Sequence, residues 1–215
     1  MNKNIAIDGP AGSGKSTIAK ILGDKLNLMY INTGAMYRAI TLKALRENIS
    51  YTCVDELEKL IEQTDLYFKD DQLFMNDKNV NEEIILPEIS NNVSNYAAVP
   101  KVRQMLVKKM QNMAKKFDVI MDGRDIGTVV LKDAQFKFFL IASAEERANR
   151  RFNEYKNKGI EVDYNELLED IKRRDHIDST RETDPLMKAD DALEIDSTRL
   201  TISEVVEEIM NYVNK

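Results

Sequence analysis

The chain has 215 residues, of which 43% are hydrophobic and 32% charged, a balance typical of one globular domain and not of a disordered chain. Its formal net charge of −6 disfavours a nucleic-acid or membrane-surface partner, because such anionic surfaces attract basic proteins. Cys53 and His176 are its single cysteine and histidine, so the chain can build no internal disulfide, no cysteine-rich zinc site and no histidine-based metal cluster.

The N-terminal segment leads directly into an apolar, strand-like stretch and does not resemble a signal peptide. No apolar run is long enough to cross a bilayer. The chain has only 4 prolines and 8 glycines, and they form no linker that would divide it. We therefore expect a cytoplasmic protein, with no membrane or nucleic-acid partner, that is organised as one unit.

The first part of the chain has the pattern of a βαβ unit. Residues 4–8 form a short apolar run, a glycine-rich turn follows, and residues 15–26 carry apolar side chains at helical spacing. Residues 28–31 predict a second strand, and residues 34–46 and 54–63 predict helices.

The pattern then changes to that of a β-hairpin. Apolar residues 66–68 and 73–75 flank a polar turn at 69–72, and residues 76–79 are a second turn signal. The stretch 65–85 is therefore the candidate for an insert of different architecture.

The second half of the chain returns to alternating strands and helices. The predicted elements are a helix over 100–116, strands at 117–121 and 136–142, a helix opened by a capping box at 143–146, a helix over 165–174, a strand at 192–196 and a C-terminal helix opened by a capping box at 201–204. This alternation predicts an α/β fold whose central parallel sheet is covered by helices on both faces.

Residues 9–16, GPAGSGKS, match the P-loop pattern G-x-x-x-x-G-K-[ST] between a predicted strand and a predicted helix. Its glycines let backbone N–H groups turn towards a phosphate, and the helix N-terminus adds a positive dipole end. Lys15 has the position to reach the β- and γ-phosphates, and the Ser16 hydroxyl has the position to bind Mg²⁺. The pattern therefore predicts binding of a nucleoside triphosphate.

Switch proteins, motors and small kinases all use such a loop. A GTPase switch would need an N-K-x-D motif after a strand, whereas residues 76–79 read NDKN and lie in the hairpin segment. The chain is also short for a motor. These observations favour a small kinase.

Arginines are abundant for an acidic chain. Arg38, Arg124 and Arg181 lie at predicted strand ends or in loops, where parallel sheets form their ligand crevice. Guanidinium groups there suit a second phosphorylated ligand and the charge of a transferring phosphoryl group. The alternative, a set of solvated surface charges, stays open for the arginines on predicted helices, which are Arg103, Arg147, Arg150, Arg151, Arg173 and Arg174.

Several longer strings occur along the chain: DGPAGSGKS at 8–16, TGAMYR at 33–38, DGRDIGT at 122–128, RDHIDSTR at 174–181, PL at 185–186 and IDST at 195–198. Together they resemble the bacterial cytidylate kinase family over nearly the whole chain. The P-loop is shared by many families, and the other strings are far more specific.

The resemblance implies a three-layer P-loop fold of the nucleoside monophosphate kinase type, formed by one chain over residues 1–215. Its core would be residues 1–64 and 86–215, with a monophosphate-side insert of antiparallel strands at about 65–85 and a short lid at about 154–163. The implied reaction is phosphoryl transfer from ATP to CMP or dCMP with Mg²⁺. The implied enzyme is a monomer.

The resemblance also assigns roles to individual residues. Lys15, Arg124 and Arg181 would be catalytic, and Ser16 would bind the metal. The donor phosphates would be held by Gly9, Pro10, Ala11, Gly12, Ser13, Gly14, Lys15, Ser16 and Thr17. Ser94, Arg103 and Asp125 match cytosine-reading positions, and the other acceptor-side residues would be Thr33, Tyr37, Arg38, Arg124, Arg174, Asp178 and Arg181.

Alternatives remain at this stage. Another small P-loop kinase would act on UMP or a non-nucleotide hydroxyl group, and a non-catalytic P-loop protein would bind ATP without turning over an acceptor. Asp125 could orient Arg124 instead of reading a base. Asn32 departs from the aspartate common in the family, and His176 has no assigned role.

Overall fold

Strands and helices alternate along most of the chain in the computed structural model, which describes residues 3–157 and 159–214. The strands are β1 (Asn4–Asp8), β2 (Met29–Asn32), β3 (Leu66–Lys69), β4 (Gln72–Met75), β5 (Lys78–Asn79), β6 (Val119–Gly123), β7 (Phe136–Ile141) and β8 (Leu193–Asp196). The helices are α1 (Lys15–Leu26), α2 (Thr33–Arg46), α3 (Val54–Glu62), α4 (Pro87–Ala97), α5 (Pro100–Ala114), α6 (Ala144–Asn157), α7 (Tyr164–Thr180) and α8 (Ile202–Val213), and a π-helical turn covers Ile126–Val130.

The main sheet has the strand order β2-β6-β1-β7-β8, and all of its pairs are parallel. Its register aligns Asp8 with Gly123 and Asn32 with Asp122, so three strands end in one row. The loops that follow these strands therefore meet at one edge of the sheet, which is where parallel α/β folds bind ligands.

Both faces of this sheet are covered. Ile5 and Ile7 point to the face on which α1 and α8 pack, whereas Ala6 belongs to the core on the side of α2 to α5. Helix–sheet–helix layering follows from the nearly continuous apolar strands, because a strand buried on both faces needs apolar side chains on both. The predicted three-layer α/β fold is confirmed.

The predicted hairpin forms the start of a separate antiparallel sheet, β3-β4-β5. Asp70 and Asp71 form its first turn with φ of 50° and 58°, and Asn76 and Asp77 form the next with φ of 49° and 64°. Short polar side chains tolerate this left-handed region, which two-residue hairpins require. The second turn returns the chain into a third strand, β5, where the sequence predicted only a turn.

Further predicted boundaries and elements differ from the structure. Helix α4 was absent from the sequence-based prediction, although Pro87 stands in its first turn and Ile89 and Val93 are buried at helical spacing. Helix α7 continues past the predicted end at residue 174 to Thr180. Strand β6 begins two residues after the predicted start, because Phe117 is left exposed outside the sheet.

The predicted lid, 154–163, contains two kinds of structure. Residues up to Asn157 belong to α6, residue 158 lies outside the described residues, and the connection ends where Asp163 caps α7 by accepting the backbone N–H of Glu166. Among the described helices, none is long and apolar enough to cross a membrane.

Candidate active site

The P-loop folds back on its own lysine. The Nζ of Lys15 donates to the carbonyl oxygen of Pro10 at 2.6 Å and to the hydroxyl of Ser13 at 3.3 Å. Burial lowers the pKa of Lys15 to about 7, and the positive charge of Arg124 adds to this shift. Gly9 has φ +145°, and a Cβ there would lie 2.0 Å from the carbonyl oxygen of Leu140. The loop therefore needs glycine at position 9, and it keeps the Lys15 side chain buried against its own backbone.

One carboxylate joins the P-loop to the neighbouring strands. The Ser16 hydroxyl donates to Oδ2 of Asp122 at 2.8 Å, and the Tyr30 hydroxyl donates to Oδ1 at 2.9 Å. The Thr33 hydroxyl donates to the backbone carbonyl of Asp122 at 2.7 Å. Asp122 was not among the predicted site residues, although its place at the start of the DGRDIGT string is a signal that could have identified it.

A cleft of about 620 Å³ begins at the P-loop and runs along the carboxyl edge of the main sheet. The predicted site residues that line it are Ala11, Gly12, Lys15, Ser16, Thr33, Tyr37, Arg38, Ser94, Arg103, Arg124, Asp125, Arg174, Asp178 and Arg181. The predicted loop residues that do not line it are Gly9, Pro10, Ser13, Gly14 and Thr17. Of these, Ser13 braces the loop, since its hydroxyl donates to the carbonyl of Pro10 at 3.1 Å.

Guanidinium groups from four elements converge in the middle of the cleft: Arg38 of α2, Arg124 after β6, Arg151 of α6 and Arg174 of α7. Burial, together with the charge of the other guanidinium groups, lowers the pKa of Arg38 to about 10 and that of Arg174 to about 9. The buried Nε of Arg174 has no hydrogen-bond partner among the described residues. Positive charge is therefore concentrated where an anion can offset it.

Asp178 is the carboxylate in contact with this arginine cluster. It accepts the Nε–H of Arg124 at 2.8 Å, and Nη1 of Arg181 lies 3.9 Å from it. Burial favours its neutral form, but the charge and hydrogen bond of Arg124 and the charges of Arg181 and Arg174 together outweigh burial, so the net pKa of Asp178 is lowered. Arg124 thus takes Asp178 as its carboxylate partner, and not Asp125.

Asp125 instead belongs to the far end of the cleft. Arg103 and Asp125 form a buried ion pair in which the side chains are 1% and 6% exposed. Nη2 of Arg181 lies 3.6 Å from Asp125 Oδ1, and Arg103 lies 5.5 Å above the ring of Tyr37. Burial raises the pKa of Asp125 despite these positive neighbours.

This far end also offers free hydrogen-bonding groups. The Tyr37 hydroxyl is buried without a partner among the described residues, and Ser94 is buried in the cleft wall. Arg103 also donates through Nε to Asp184 Oδ2 at 3.1 Å. Asp184 is a contact that sequence reasoning missed.

Asp8 fixes the loop that carries Arg124 and Asp125. Its two carboxylate oxygens accept the backbone N–H groups of Ile126 at 2.8 Å and Gly127 at 2.7 Å. Burial raises the pKa of Asp8 to about 7, although both hydrogen bonds oppose the shift. Asp8 entered the sequence analysis only as part of a matching string.

Besides Arg103 and Arg174, two more helical arginines are not surface charges. Arg147 is 4% exposed and donates to the carbonyl of Ala11 at 3.0 Å and to Asp175 at 3.0 and 2.6 Å, which ties α6 and α7 to the P-loop. Arg151 lines the cleft. His176 is exposed on α7 and is not among the residues that line the cleft.

Known proteins resemble this chain along its whole length. A family model described as cytidylate kinase matches residues 5–215. A cytidylate kinase of Clostridium perfringens (strain SM101 / Type A) is 61% identical over 217 residues, covering 100% of both chains. A cytidylate kinase of Clostridium acetobutylicum is 57% identical over 215 residues, covering 100% of this chain and 99% of the relative.

Among solved structures, a shikimate kinase from Bacteroides thetaiotaomicron matches with a TM-score of 0.51 at 13% identity, covering 99% of both chains. At that identity the likeness concerns the fold alone, and the shared fold is that of a small P-loop kinase. The chain belongs to the cytidylate kinase family.

Proposed function

We propose that this chain transfers the γ-phosphoryl group of ATP to CMP or dCMP and releases ADP with CDP or dCDP. The observation that carries the proposal is the continuous cleft, which has the P-loop at one end and the buried pair Arg103–Asp125 at the other. Converging arginines lie between them, where two phosphate groups would meet. Family membership supports the same assignment.

At the donor end, the P-loop backbone and Lys15 would hold the β- and γ-phosphates. Lys15 is already buried at the loop and exchanges its bond to the Pro10 carbonyl for phosphate oxygens. A polyphosphate favours the charged lysine, so the ligand offsets the burial that now depresses its pKa.

Ser16 and Asp122 would hold Mg²⁺. Their oxygens lie 2.8 Å apart, and hydroxyl and carboxylate oxygens are the ligands that this ion prefers. The described residues contain no cluster of three or more histidine, cysteine, aspartate or glutamate ligands, so the protein offers a partial shell that suits an ion shared with substrate phosphates. When bound, the ion would neutralise charge on the phosphates.

On the acceptor side, Arg38, Arg124 and Arg181 would bind the monophosphate, with Arg174 and Asp178 beside the sugar. An incoming dianion relieves the repulsion among these guanidinium groups, because it places opposite charge between them. The same groups would stabilise the charge on the transferring phosphoryl group. Catalysis here is positioning and electrostatics, so no side chain needs to form a covalent intermediate.

Asp125, Ser94 and Arg103 would read the base. Cytosine carries an amino donor at N4 and acceptors at N3 and O2, and an ionised carboxylate can only accept a hydrogen bond. Asp125 therefore favours the amino group of cytosine and repels the O4 carbonyl of uracil. Arg103 supplies the donor for N3 or O2.

We also infer that residues 65–85 act as the monophosphate-side insert and residues 154–163 as the lid of a single kinase chain. Ile85 lines the cleft while 59% exposed, and Ile160 lines it while 44% exposed. Closure of both segments would cover these apolar side chains. We also propose a monomer, as the family resemblance implies, and a cytoplasmic location, which a nucleotide substrate supports.

The test is ADP release from ATP and Mg²⁺ with CMP, dCMP, UMP, AMP and GMP as separate acceptors. We expect turnover with CMP and dCMP and almost none with the others. Turnover with UMP, or with an acceptor that is not a nucleotide, would assign another kinase activity. ATP binding without any turnover would leave a non-catalytic P-loop protein.

A further inference from the structure

Asp184 closes a ring of contacts at the far end of the cleft. Its Oδ2 accepts the Nε–H of Arg103 at 3.1 Å, and its backbone carbonyl accepts the Nε–H of Arg181 at 2.8 Å. Both arginines also reach Asp125, Arg103 as an ion pair and Arg181 with Nη2 at 3.6 Å from Oδ1. One residue of the α7–β8 connection thus holds both arginines that contact Asp125.

The ring balances its charges. It contains the guanidinium groups of Arg103 and Arg181 and the carboxylates of Asp125 and Asp184, and Arg103 is only 1% exposed. Without the Asp184 carboxylate, Arg103 would keep Asp125 as its one carboxylate partner among the described residues. Arg103 also donates through Nη1 to the carbonyl of Ala97 at 3.2 Å, so Asp184 and Ala97 hold it from opposite ends of the guanidinium group.

The backbone at Asp184 is held in an uncommon conformation. Its φ is +50°, a left-handed value that is uncommon outside glycine, although aspartate tolerates it better than most residues. Such a conformation is unfavourable in itself and persists only where surrounding contacts determine it. Here those contacts are the hydrogen bonds to Arg103 and Arg181, together with the next turn of the loop, where the Leu186 N–H donates to the Asp178 carbonyl at 2.7 Å.

We propose that Asp184 is a positioning residue for base recognition, and the proposal rests on the function proposed above. Asp184 neutralises part of the positive charge of Arg103. Asp125 therefore keeps acceptor capacity for the amino group of cytosine. It also fixes the rotation of the Arg103 guanidinium group, so that the remaining N–H groups keep one direction. Asp184 does not need to touch the substrate.

The experiment compares Asp184→Ala and Asp184→Asn with the control Glu182→Ala. Glu182 is exposed in the same loop, so its removal takes away one negative charge without touching the ring. In Asp184→Ala we expect KM for CMP to rise by about tenfold or more and the ratio of kcat/KM for CMP over UMP to fall similarly, as for loss of a hydrogen bond to a charged group. KM for ATP should stay within about twofold of wild type, because a role confined to the acceptor base leaves ATP binding unchanged.

Asp184→Asn keeps an acceptor oxygen and should recover part of the lost CMP affinity, and it also serves as the test variant if Asp184→Ala does not fold. An unchanged KM for CMP, an equal effect in Glu182→Ala, or a parallel rise in KM for ATP would each overturn the positioning role.

A second readout does not depend on turnover. In the ligand-free protein the Nε–H of Arg103 should exchange slowly with solvent in side-chain NMR spectra, and this protection should fall in Asp184→Ala but not in Glu182→Ala. Equal protection in Asp184→Ala would overturn the contact on which the inference stands. If wild type does not phosphorylate CMP, the proposed function fails first; if it does and Asp184→Ala behaves like wild type, only the role of Asp184 fails.

Discussion

The two ends of the cleft are built in different ways. The donor end is one continuous loop in which backbone groups and a single lysine do the binding, and the contacts that hold this lysine are local, from Lys15 to Pro10 and Ser13. The acceptor end is assembled from side chains of α5, α7 and the loop after β6, which pair across long stretches of chain. A backbone site depends on its own short sequence, whereas a side-chain site depends on every element that carries a member.

Among substitutions at the donor end, Lys15→Ala should cause the largest loss of activity. This change removes a charge that would strengthen its contact in the transition state, so we expect kcat to fall by about 10²-fold or more. Steady-state kinetics with saturating CMP measure it. Lys20→Ala, an exposed lysine of the same helix, is the control and should keep wild-type turnover. Near-normal turnover in Lys15→Ala would rule out the loop as the donor site.

At the acceptor end, Asp125→Asn should remove most of the CMP activity, by about 10–100-fold, because a buried charged hydrogen bond is lost. It should also narrow the preference for CMP over UMP, since an amide can donate to uracil O4. Rates with both acceptors measure the ratio. Asp170→Asn, on the exposed side of α7, is the matched control. If Asp125→Asn kept its CMP rate and its discrimination, Asp125 would not read the base.

Arg151 lines the cleft and lies on α6, the helix that leads into the proposed lid. Its substitution therefore tests whether α6 contributes to acceptor binding. We expect Arg151→Ala to lower kcat/KM for CMP by about tenfold, the size expected for one charge-assisted phosphate contact. Arg173→Ala removes an exposed arginine of α7 and should have no effect. If Arg151→Ala and Arg173→Ala had the same kcat/KM for CMP, Arg151 would have no role in acceptor binding.

Asp8 lies between the two ends and predicts a pH dependence of stability. Its folded pKa is raised from 3.8 to about 7, so the native state holds a proton that the unfolded state releases. The stabilisation is fully present below about pH 4 and is lost as the pH rises through about 7.

Asp8→Asn does not titrate, so wild type should lose about 1 kcal/mol or more of unfolding free energy relative to this variant between about pH 4 and pH 7. Urea denaturation at a series of pH values measures the difference, with the exposed Asp133→Asn as control. A difference that is independent of pH would show that Asp8 is ionised throughout.

Sequence reasoning predicted most of the donor end and part of the acceptor end. The P-loop, the hairpin turn and the capping box of α8 are local patterns, and all three form as expected. Helix α4 was not predicted, although its apolar residues recur at helical spacing in the sequence. The contact of Asp184 with Arg103 was missed for another reason, since the two residues lie 81 positions apart and nothing in either local sequence indicates the other.

The amino-acid sequence alone predicts the phosphate loop, the alternation of strands and helices that makes a parallel sheet, and the family, because each depends on neighbouring residues or on strings in a fixed order. The partners of the buried charges are visible only in the folded structure: Asp8 with the backbone of the turn after Asp125, Arg147 with the P-loop backbone, and Asp184 with Arg103. The physical reason is burial. A charged side chain has the same local pattern on a surface and in a core, but in the core it must find a partner, and the packing of distant elements selects that partner.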